Sequence, residues 1–173
     1  WAGDENTGLV GVLSENNNVP VFTLPTNAAK TSTKWADKTP AEILHDIAAM
    51  QAYTATLTKS VERPDTLAIP TDAYLYLANT PRSAQSDKSL LSWVLENSPR
   101  LKEIVEAPEL NADSGISPYS KGSNPQGVGF MFTKDARKFT IENPLPFFQH
   151  PVQPNGLEFV IPCEAKTAGA LIY

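Results

Sequence analysis

One four-residue phrase, Thr39-Pro40-Ala41-Glu42, constrains the fold more than any other part of this 173-residue sequence. The phrase has the form of an N-terminal capping box. The Thr39 side chain can accept a hydrogen bond from the third helical amide, and the Glu42 side chain can accept one from the Thr39 amide. Pro40 loses no hydrogen bond at the first helical position, because an amide there would have no partner within the helix. The sequence therefore predicts a helix that begins at residue 40.

Apolar residues follow this box at alternating four- and three-residue steps, which places them on one face of a helix. They are Ile43, Ile47, Met50, Leu57 and Val61, with Thr54 filling one gap. The pattern predicts a helix of about five turns that ends at Arg63-Pro64 and packs its apolar face against a sheet or another helix.

Beyond this helix, strand and helix signals alternate, and strand signals then follow alone. Thr66 to Pro70 is predicted as a buried strand, Thr71 as the N-cap of a second helix, and Ser86 or Asp87 as the N-cap of a third. Further strands are predicted at residues 101–107, 128–133, 139–142, 157–162 and 168–173, and residues 9–13 and 19–24 form either a hairpin or an exposed loop. This order indicates the α+β class.

Two polar segments and one aromatic segment are the candidates for contacts with other molecules. The loop 111–126 and the turn 14–18 are rich in turn-forming residues and are expected at the surface. The stretch 144–148 has few backbone donors and is expected to pack by its side chains, in a core or at a subunit contact with equal weight. The candidate contact residues are Asn17, Tyr119, Lys121, Phe147 and Phe148.

Conventional catalytic groups are scarce in this sequence. His45 is expected on the solvated face of the first helix, His150 in a proline-rich surface loop, and Cys163 as a small buried hydrophobe at a strand end. The spacings typical of metal ligands, of a nucleophile elbow and of a phosphate-binding glycine loop are absent. The sequence therefore predicts no catalytic, cofactor or metal site.

Composition excludes further classes. The net charge of −5 and the isoelectric point near 5.0 lack the basic footprint of a nucleic-acid-binding protein. No apolar run approaches the roughly 18 to 20 residues that a membrane-spanning helix requires. A single cysteine cannot form an internal disulfide, which favours an intracellular site of assembly. The first residue, Trp1, and the apolar run that ends at Tyr173 suggest a piece of a longer polypeptide.

Several phrases, taken in order, carry a resemblance to a known family. They are Trp35-Ala36-Asp37-Lys38-Thr39-Pro40-Ala41-Glu42-Ile43-Leu44, then Arg63 to Pro70 with Tyr74 and Leu77, then Ile104 with Pro108 to Leu110, and last Pro162 to Ala170. In order and spacing they are similar to core segments of tailed-phage and prophage major capsid proteins of the Hong Kong 97-type fold, which encapsulin shells share.

The resemblance implies a capsid core made of an axial domain, with a central sheet flanked by helices, and part of the peripheral-domain strands. Residues 1–173 would be one domain of a longer chain, without the N-terminal arm, extended loop and spine helix. Copies would form pentamers and hexamers that tile an icosahedral shell around a genome. The protein would be located in the virion after assembly in the bacterial cytoplasm.

Three alternatives to a phage coat protein stay open at this point. The first is an encapsulin-like compartment shell, which would assemble from copies of the chain in the same way but enclose a cargo other than a genome. The second is a small hydrolase that uses His150 or Cys163, and the third is a monomeric ligand-binding domain. The capsid interpretation predicts that the partners are copies of the chain itself, with no cofactor, no sequence-specific nucleic acid and no membrane.

Overall fold

The structure is a computed structural model that describes residues 3–4, 9–14, 19–116, 119, 126–142, 144–166 and 169–172. Its helices are α1 (Pro40–Leu57), α2 (Thr71–Asn79) and α3 (Leu90–Asn97). Its strands are β1 (Gly3–Asp4), β2 (Leu9–Val10), β3 (Thr66–Ile69), β4 (Glu103–Glu106), β5 (Phe130–Phe132), β6 (Phe139–Glu142), β7 (Leu145–Gln149), β8 (Gln153–Asn155), β9 (Glu158–Val160), β10 (Cys163–Lys166) and β11 (Gly169–Ile172). The mixture of helices and strands confirms the predicted class.

Helix α1 begins as the capping box predicts. The Thr39 hydroxyl accepts from the Glu42 amide at 3.4 Å, and the Glu42 carboxylate accepts from the Thr39 amide at 2.7 Å. Two of the orphan amides at this end of the helix, those of Thr39 and Glu42, are therefore satisfied. The side chains of Ile43 and Ile47, on the predicted apolar face, are completely buried.

The end of α1 corrects the sequence prediction, because the helix stops at Leu57 rather than at Arg63. Lys59 and Ser60 adopt left-handed backbone conformations, with φ of 51° and 64°. The Ser60 amide then donates to the Ala55 carbonyl at 2.6 Å, which is the backward bond of a Schellman motif. The last two members of the predicted apolar face, Leu57 and Val61, consequently lie exposed.

The starts of α2 and α3 also differ from the predictions. Thr71 is the first helical residue rather than the N-cap of α2, because its amide is bound by the Asn111 side chain at 2.9 Å and Pro70 occupies the cap position. For α3 the cap is Ser89, whose hydroxyl accepts from the Ser92 amide at 3.3 Å, while residues 86 and 87 lie in the preceding loop.

A three-stranded mixed sheet forms the centre of the fold. Strand β3 lies between β4, which runs parallel to it, and β5, which runs antiparallel. All four residues of β3 are buried, as the prediction for Thr66 to Pro70 expected. The parallel pair requires a long crossover connection, and α2 and α3 provide it. Ala68 in β3 faces Val105 in β4 on one side and Phe130 in β5 on the other.

The main core lies where the helices pack against this sheet. It contains Trp35, Ile43, Ile47, Leu67, Ile69, Leu77, Leu90, Val94, Leu101 and Ile104. Trp35, which precedes α1, is buried in that cluster. A second cluster, around Val12, Leu110 and Phe130, covers another part of the sheet.

An ion pair lies inside the core beside Trp35. The Lys38 ammonium contacts the Asp46 carboxylate at 2.5 Å, and the two side chains are only 1% and 3% exposed. The indole of Trp35 donates to the same carboxylate at 3.1 Å, and Lys38 also donates to the Pro25 carbonyl at 2.6 Å. These bonds join the segment before α1 to the helix, and they satisfy charges whose burial would otherwise be costly.

The N-terminal segment pairs differently from the hairpin that the sequence suggested. Strand β2 pairs with β1, whereas residues 19–24 form no strand. Residues 15–18, where the connecting turn was expected, lie outside the described residues.

Candidate functional site

A long antiparallel ribbon extends from the core. Strand β6 pairs with β11, β7 with β10 and β8 with β9, so that the chain folds back on itself in three successive paired segments. The His150 amide donates to the Pro162 carbonyl at 2.9 Å and continues the pairing between the second and third segments. At the base of the ribbon, β11 lies beside β2. We call residues 144–166 the arm.

The tip of the arm is a two-residue turn. Asn155 pairs with Glu158, which leaves Gly156 and Leu157 as the loop. Gly156 has a φ of 67°, a conformation that residues with a side chain rarely adopt. Glycine at the first loop position, with a positive φ there, is typical of the type II′ turns that match the twist of a hairpin.

The arm has no core of its own. Between residues 144 and 166, all of which the structure describes, no residue is buried. Phe147 is 71% exposed, Phe148 is 52% exposed and Phe159 is 76% exposed. An isolated two-stranded ribbon is only marginally stable in water. The arm thus leaves exposed the apolar side chains whose burial would stabilise its paired strands.

Both faces of the arm carry aromatic rings, because successive residues of a strand point to opposite faces. Phe147 and Phe148 are such neighbours in β7. On the Phe148 face, its ring meets the His150 ring edge-on at 4.9 Å, and Nε2 of His150 lies 3.0 Å from the Glu164 carboxylate. This cross-strand pair places two polar side chains next to the Phe148 ring, so this face of the arm carries both polar and aromatic groups.

Charged residues tie the base of the arm to the core at one end of the central sheet. Lys138, just before β6, contacts Glu62 at 2.8 Å, and Lys134 contacts Glu103 at 2.7 Å. Glu62 lies just before β3 and Glu103 lies in β4, whereas both lysines lie in the connection between β5 and β6. We call this group the root clamp, together with Asp65 and Lys102. The root clamp fixes where the ribbon leaves the core.

Asp65 lies at the centre of the root clamp. The Lys102 ammonium beside it at 2.8 Å, and then the backbone amide of Lys134 at 3.0 Å, lower the pKa of the Asp65 carboxyl from 3.8 to about 2. Its own backbone carbonyl also accepts from the Lys102 amide at 2.8 Å. One residue thus holds the start of β3, the start of β4 and the chain that leaves β5.

The ionisation of Asp65 should therefore make stability depend on pH in acid, and replacing Asp65 should remove this dependence. Because the folded-state pKa lies below the unfolded value, the ionised carboxyl stabilises the fold above about pH 4, and this contribution is lost as pH falls through about 2. We expect Asp65→Asn to lower the free energy of unfolding by about 1–2 kcal/mol at neutral pH. The difference should shrink as the pH falls below about 4 and vanish below about pH 2. Urea unfolding of both proteins across this range measures it, and a pH-independent difference would contradict the assignment.

A second exposed apolar surface lies at the end of α1. Tyr53 and Leu57 are four residues apart and so are neighbours on the helix surface. The Tyr53 hydroxyl donates to the Val21 carbonyl at 3.4 Å, and its ring packs against Phe22 with centroids 5.2 Å apart. Val61 follows in the turn and is 75% exposed. We call Val21, Phe22, Tyr53, Leu57 and Val61 the α1 patch.

The structure separates the contact residues that were predicted from sequence. Phe147 and Phe148 lie on the exposed arm, whereas Tyr119 lies in the 111–126 loop and is 41% exposed. Asn17 and Lys121 lie outside the described residues, so their roles stay predictions. The structure brings Phe147 and Phe148 together on one strand, on opposite faces of the ribbon.

The groups considered for catalysis do not form a site. His45 is exposed on α1, and His150 pairs with Glu164 on the arm. Cys163 is exposed at the start of β10, so the expectation of a buried cysteine was wrong, because both faces of the arm lie open to solvent. Among the residues that the structure describes, no cluster of three or more metal-ligating side chains occurs. None of the described helices has both the length and the apolar character for crossing a bilayer.

Sequence reasoning missed most of the arm because its prolines resemble strand breakers. Pro146 and Pro154 nevertheless lie within strands β7 and β8. In a two-stranded ribbon each strand has a free edge, where a missing amide costs no ladder hydrogen bond. The Asn155-Gly156 dipeptide is a hairpin signal, although the loop here is Gly156-Leu157, one residue later than the Asn-Gly loop of a type I′ turn.

Comparisons with known proteins agree with this architecture. A family model described as "Major capsid protein" matches residues 1–173. The capsid of Myoviridae phage XM1, a solved structure, has a similar fold with a TM-score of 0.65 and 16% sequence identity; the match covers 86% of this chain and 47% of that one. The chain thus spans about half the length of that capsid protein. A search of curated proteins gave no match.

Proposed function

This chain belongs to the major capsid protein family, and we propose that copies of it associate through the arm to build the protein shell of a phage or prophage. The role is structural, and turnover of a substrate has no part in it. Neither comparison favours an encapsulin-like compartment or a small hydrolase. The arm is the observation that supports the proposal, since it exposes apolar side chains that only another surface can cover.

The finer picture follows from the same argument. We propose a Hong Kong 97-type arrangement in which pentamers and hexamers tile an icosahedral shell around the genome, after assembly in the bacterial cytoplasm. A coat subunit must contact its neighbours repeatedly, and heterologous contacts close into rings when the rotation between copies allows it. The acidic net charge is compatible with a wall that encloses DNA without reading its sequence.

The proposal predicts that charge on the arm abolishes assembly. We expect the full chain to form rings or closed shells, and the double variant Phe147→Asp, Phe159→Asp to stay monomeric, because a buried carboxylate would oppose the contact. Light scattering gives the mass and negative-stain microscopy the shape. Both side chains are largely exposed, so the free energy of unfolding should change little.

The matched control is Ser83→Asp, Gln85→Asp, which adds the same charge at exposed positions between α2 and α3. This control should assemble like the unchanged protein. A full chain that remains monomeric at every concentration would overturn the proposed function. Normal assembly of the arm variant would show that the arm is not the contact.

A further inference from the structure

Residues 19–34 form a surface segment that belongs to no helix or strand, and we call this segment the strap. The structure describes every residue of the strap, and none of them is buried. Phe22 and Leu24 are half-buried, whereas Val21 and Thr23 are exposed, so alternate side chains of the strap point toward the core. Leu24 packs against the main core. The strap therefore lies on the core without being part of it.

Two hydrogen bonds show that the strap runs along α1. The Tyr53 hydroxyl donates to the Val21 carbonyl at 3.4 Å, and the Ala28 amide donates to the Glu42 carboxylate at 2.7 Å. Tyr53 lies toward the end of α1 and Glu42 lies in its first turn, so the strap runs antiparallel to the helix. Both bonds use a side chain of α1. Within the described residues, no backbone-to-backbone hydrogen bond joins the strap to this helix.

Two further contacts attach the strap to the residues just before α1. The Lys38 ammonium donates to the Pro25 carbonyl at 2.6 Å, and the Asn27 side-chain amide donates to the Asp37 carbonyl at 3.2 Å. The side-chain oxygen of Asn27 also accepts from the Thr31 amide at 2.9 Å, which closes a tight turn inside the strap. The polar attachments of the strap are thus few, and most of them lie near the N-terminus of α1.

The Glu42 carboxylate joins the strap to the cap of α1. Its Oε1 accepts from the Ala28 amide at 2.7 Å, while its Oε2 accepts from the amide and the hydroxyl of Thr39, each at 2.7 Å. These hydrogen bonds, that of the Thr39 amide most strongly, lower the pKa of the Glu42 carboxyl. A glutamine has one acceptor oxygen where glutamate has two. It could keep the helix cap or the strap in this geometry, but not both.

We propose that the strap opens from α1 as a unit while the core stays folded, and that Glu42 is the latch that holds it closed. Segments with few buried apolar contacts are those that open locally in native proteins. The strap meets this description, whereas α1 beneath it is held by the completely buried Ile43 and Ile47. The buried Trp35 directly follows the strap and fixes its far end. The proposal concerns a single chain and does not depend on how copies associate.

Opening of the strap would let two parts of the fold move separately. Strand β2, which precedes the strap in the chain, lies beside β11 at the base of the ribbon. The strap therefore connects the base of the ribbon to the helical layer. With the latch released, β2 could change position relative to α1 while the central sheet stays closed.

Limited proteolysis of the full chain tests the latch. Lys30 and Lys34 are exposed trypsin sites within the strap. When opening and closing are fast relative to cleavage, the cleavage rate follows the population of the open form. Since Glu42→Gln removes a charge-assisted hydrogen bond, we expect it to raise the initial cleavage rate at these two sites about three- to tenfold. Mass spectrometry of the products identifies the cleaved bonds.

Two further variants isolate the cause. Glu96→Gln makes the same change in charge at an exposed position on α3 and should leave cleavage of the strap unchanged. Asn27→Ala removes a different attachment of the strap and should accelerate its cleavage without touching Glu42. Glutamine is accepted at this position of a capping box, so hydrogen exchange of the α1 amides should be equal in Glu42→Gln and in the unchanged protein.

The results divide as follows. Faster cleavage at Lys30 and Lys34 in Glu42→Gln, with α1 exchange unchanged, supports the inference. Unchanged cleavage in both strap variants would mean that the strap is released only by global unfolding, and acceleration in Asn27→Ala alone would exclude Glu42 as the latch. Equally accelerated α1 exchange would make Glu42 a helix cap and nothing more. Cleavage of the unchanged protein as fast as that of an unfolded peptide would show that no latch exists.

Discussion

Asp46→Ala is expected to lower the free energy of unfolding by about 3–5 kcal/mol, the largest effect anticipated for a polar residue here. The substitution leaves the Lys38 ammonium, 1% exposed, without its counter-charge in the core. It also removes the acceptor of the Trp35 indole. Chemical denaturation at neutral pH measures the loss, and intrinsic tryptophan fluorescence should report the disturbance around Trp35.

Two comparisons isolate the cause. In the double variant Lys38→Met, Asp46→Leu no charge remains in the core, so most of the lost stability should return. Glu96→Ala breaks the pair of Lys88 and Glu96, whose side chains are 59% and 53% exposed, and should cost less than about 1 kcal/mol. A loss below about 1 kcal/mol for Asp46→Ala would mean that water reaches Lys38.

Leu77→Ala should destabilise the protein by about 2–5 kcal/mol. Leu77 is completely buried in α2, which packs against α3, against β4 and against the turn that contains Trp35. Removing its branched end leaves a cavity where these elements meet, and a close-packed interior relaxes only partly around such a void.

Leu75→Ala is the control for Leu77→Ala, because it makes the same chemical change two residues away. Leu75 is 48% exposed, so its truncation should cost well under about 1 kcal/mol. Unfolding curves for the two variants, recorded under identical conditions, should differ in midpoint but not in slope. Equal losses at the two positions would contradict the assignment of Leu77 to the core.

The predictions that succeeded rest on local chemistry. The capping box at Thr39 depends on groups within three residues, and the buried strand around Leu67 is a short apolar run between prolines. Such signals act before tertiary contacts form, so the sequence alone carries them. The end of α1 escaped prediction because lysine and serine, rather than glycine, adopt the left-handed conformation there.

The failures share a different cause. Asp46 is a charged residue beside an exposed histidine, and only the fold brings Lys38 and Trp35 to it. Cys163 resembled a core residue, but its strand belongs to a two-stranded ribbon whose faces are both exposed. The α1 patch looked like a continuation of the buried face because periodicity cannot show where the partner surface ends. These properties depend on contacts between distant segments.

The ribbon also has a consequence for the order in which the molecule folds. Its turn at Gly156 lets the strands pair from contacts close in sequence, on the scale of about 1–10 microseconds for a hairpin. The root clamp instead joins residues as far apart as Glu62 and Lys138, so it must wait for the central sheet to close. A chain that refolds from the denatured state can thus form this exposed hairpin before the root clamp exists, and premature contacts between the hairpins of different chains compete with correct folding.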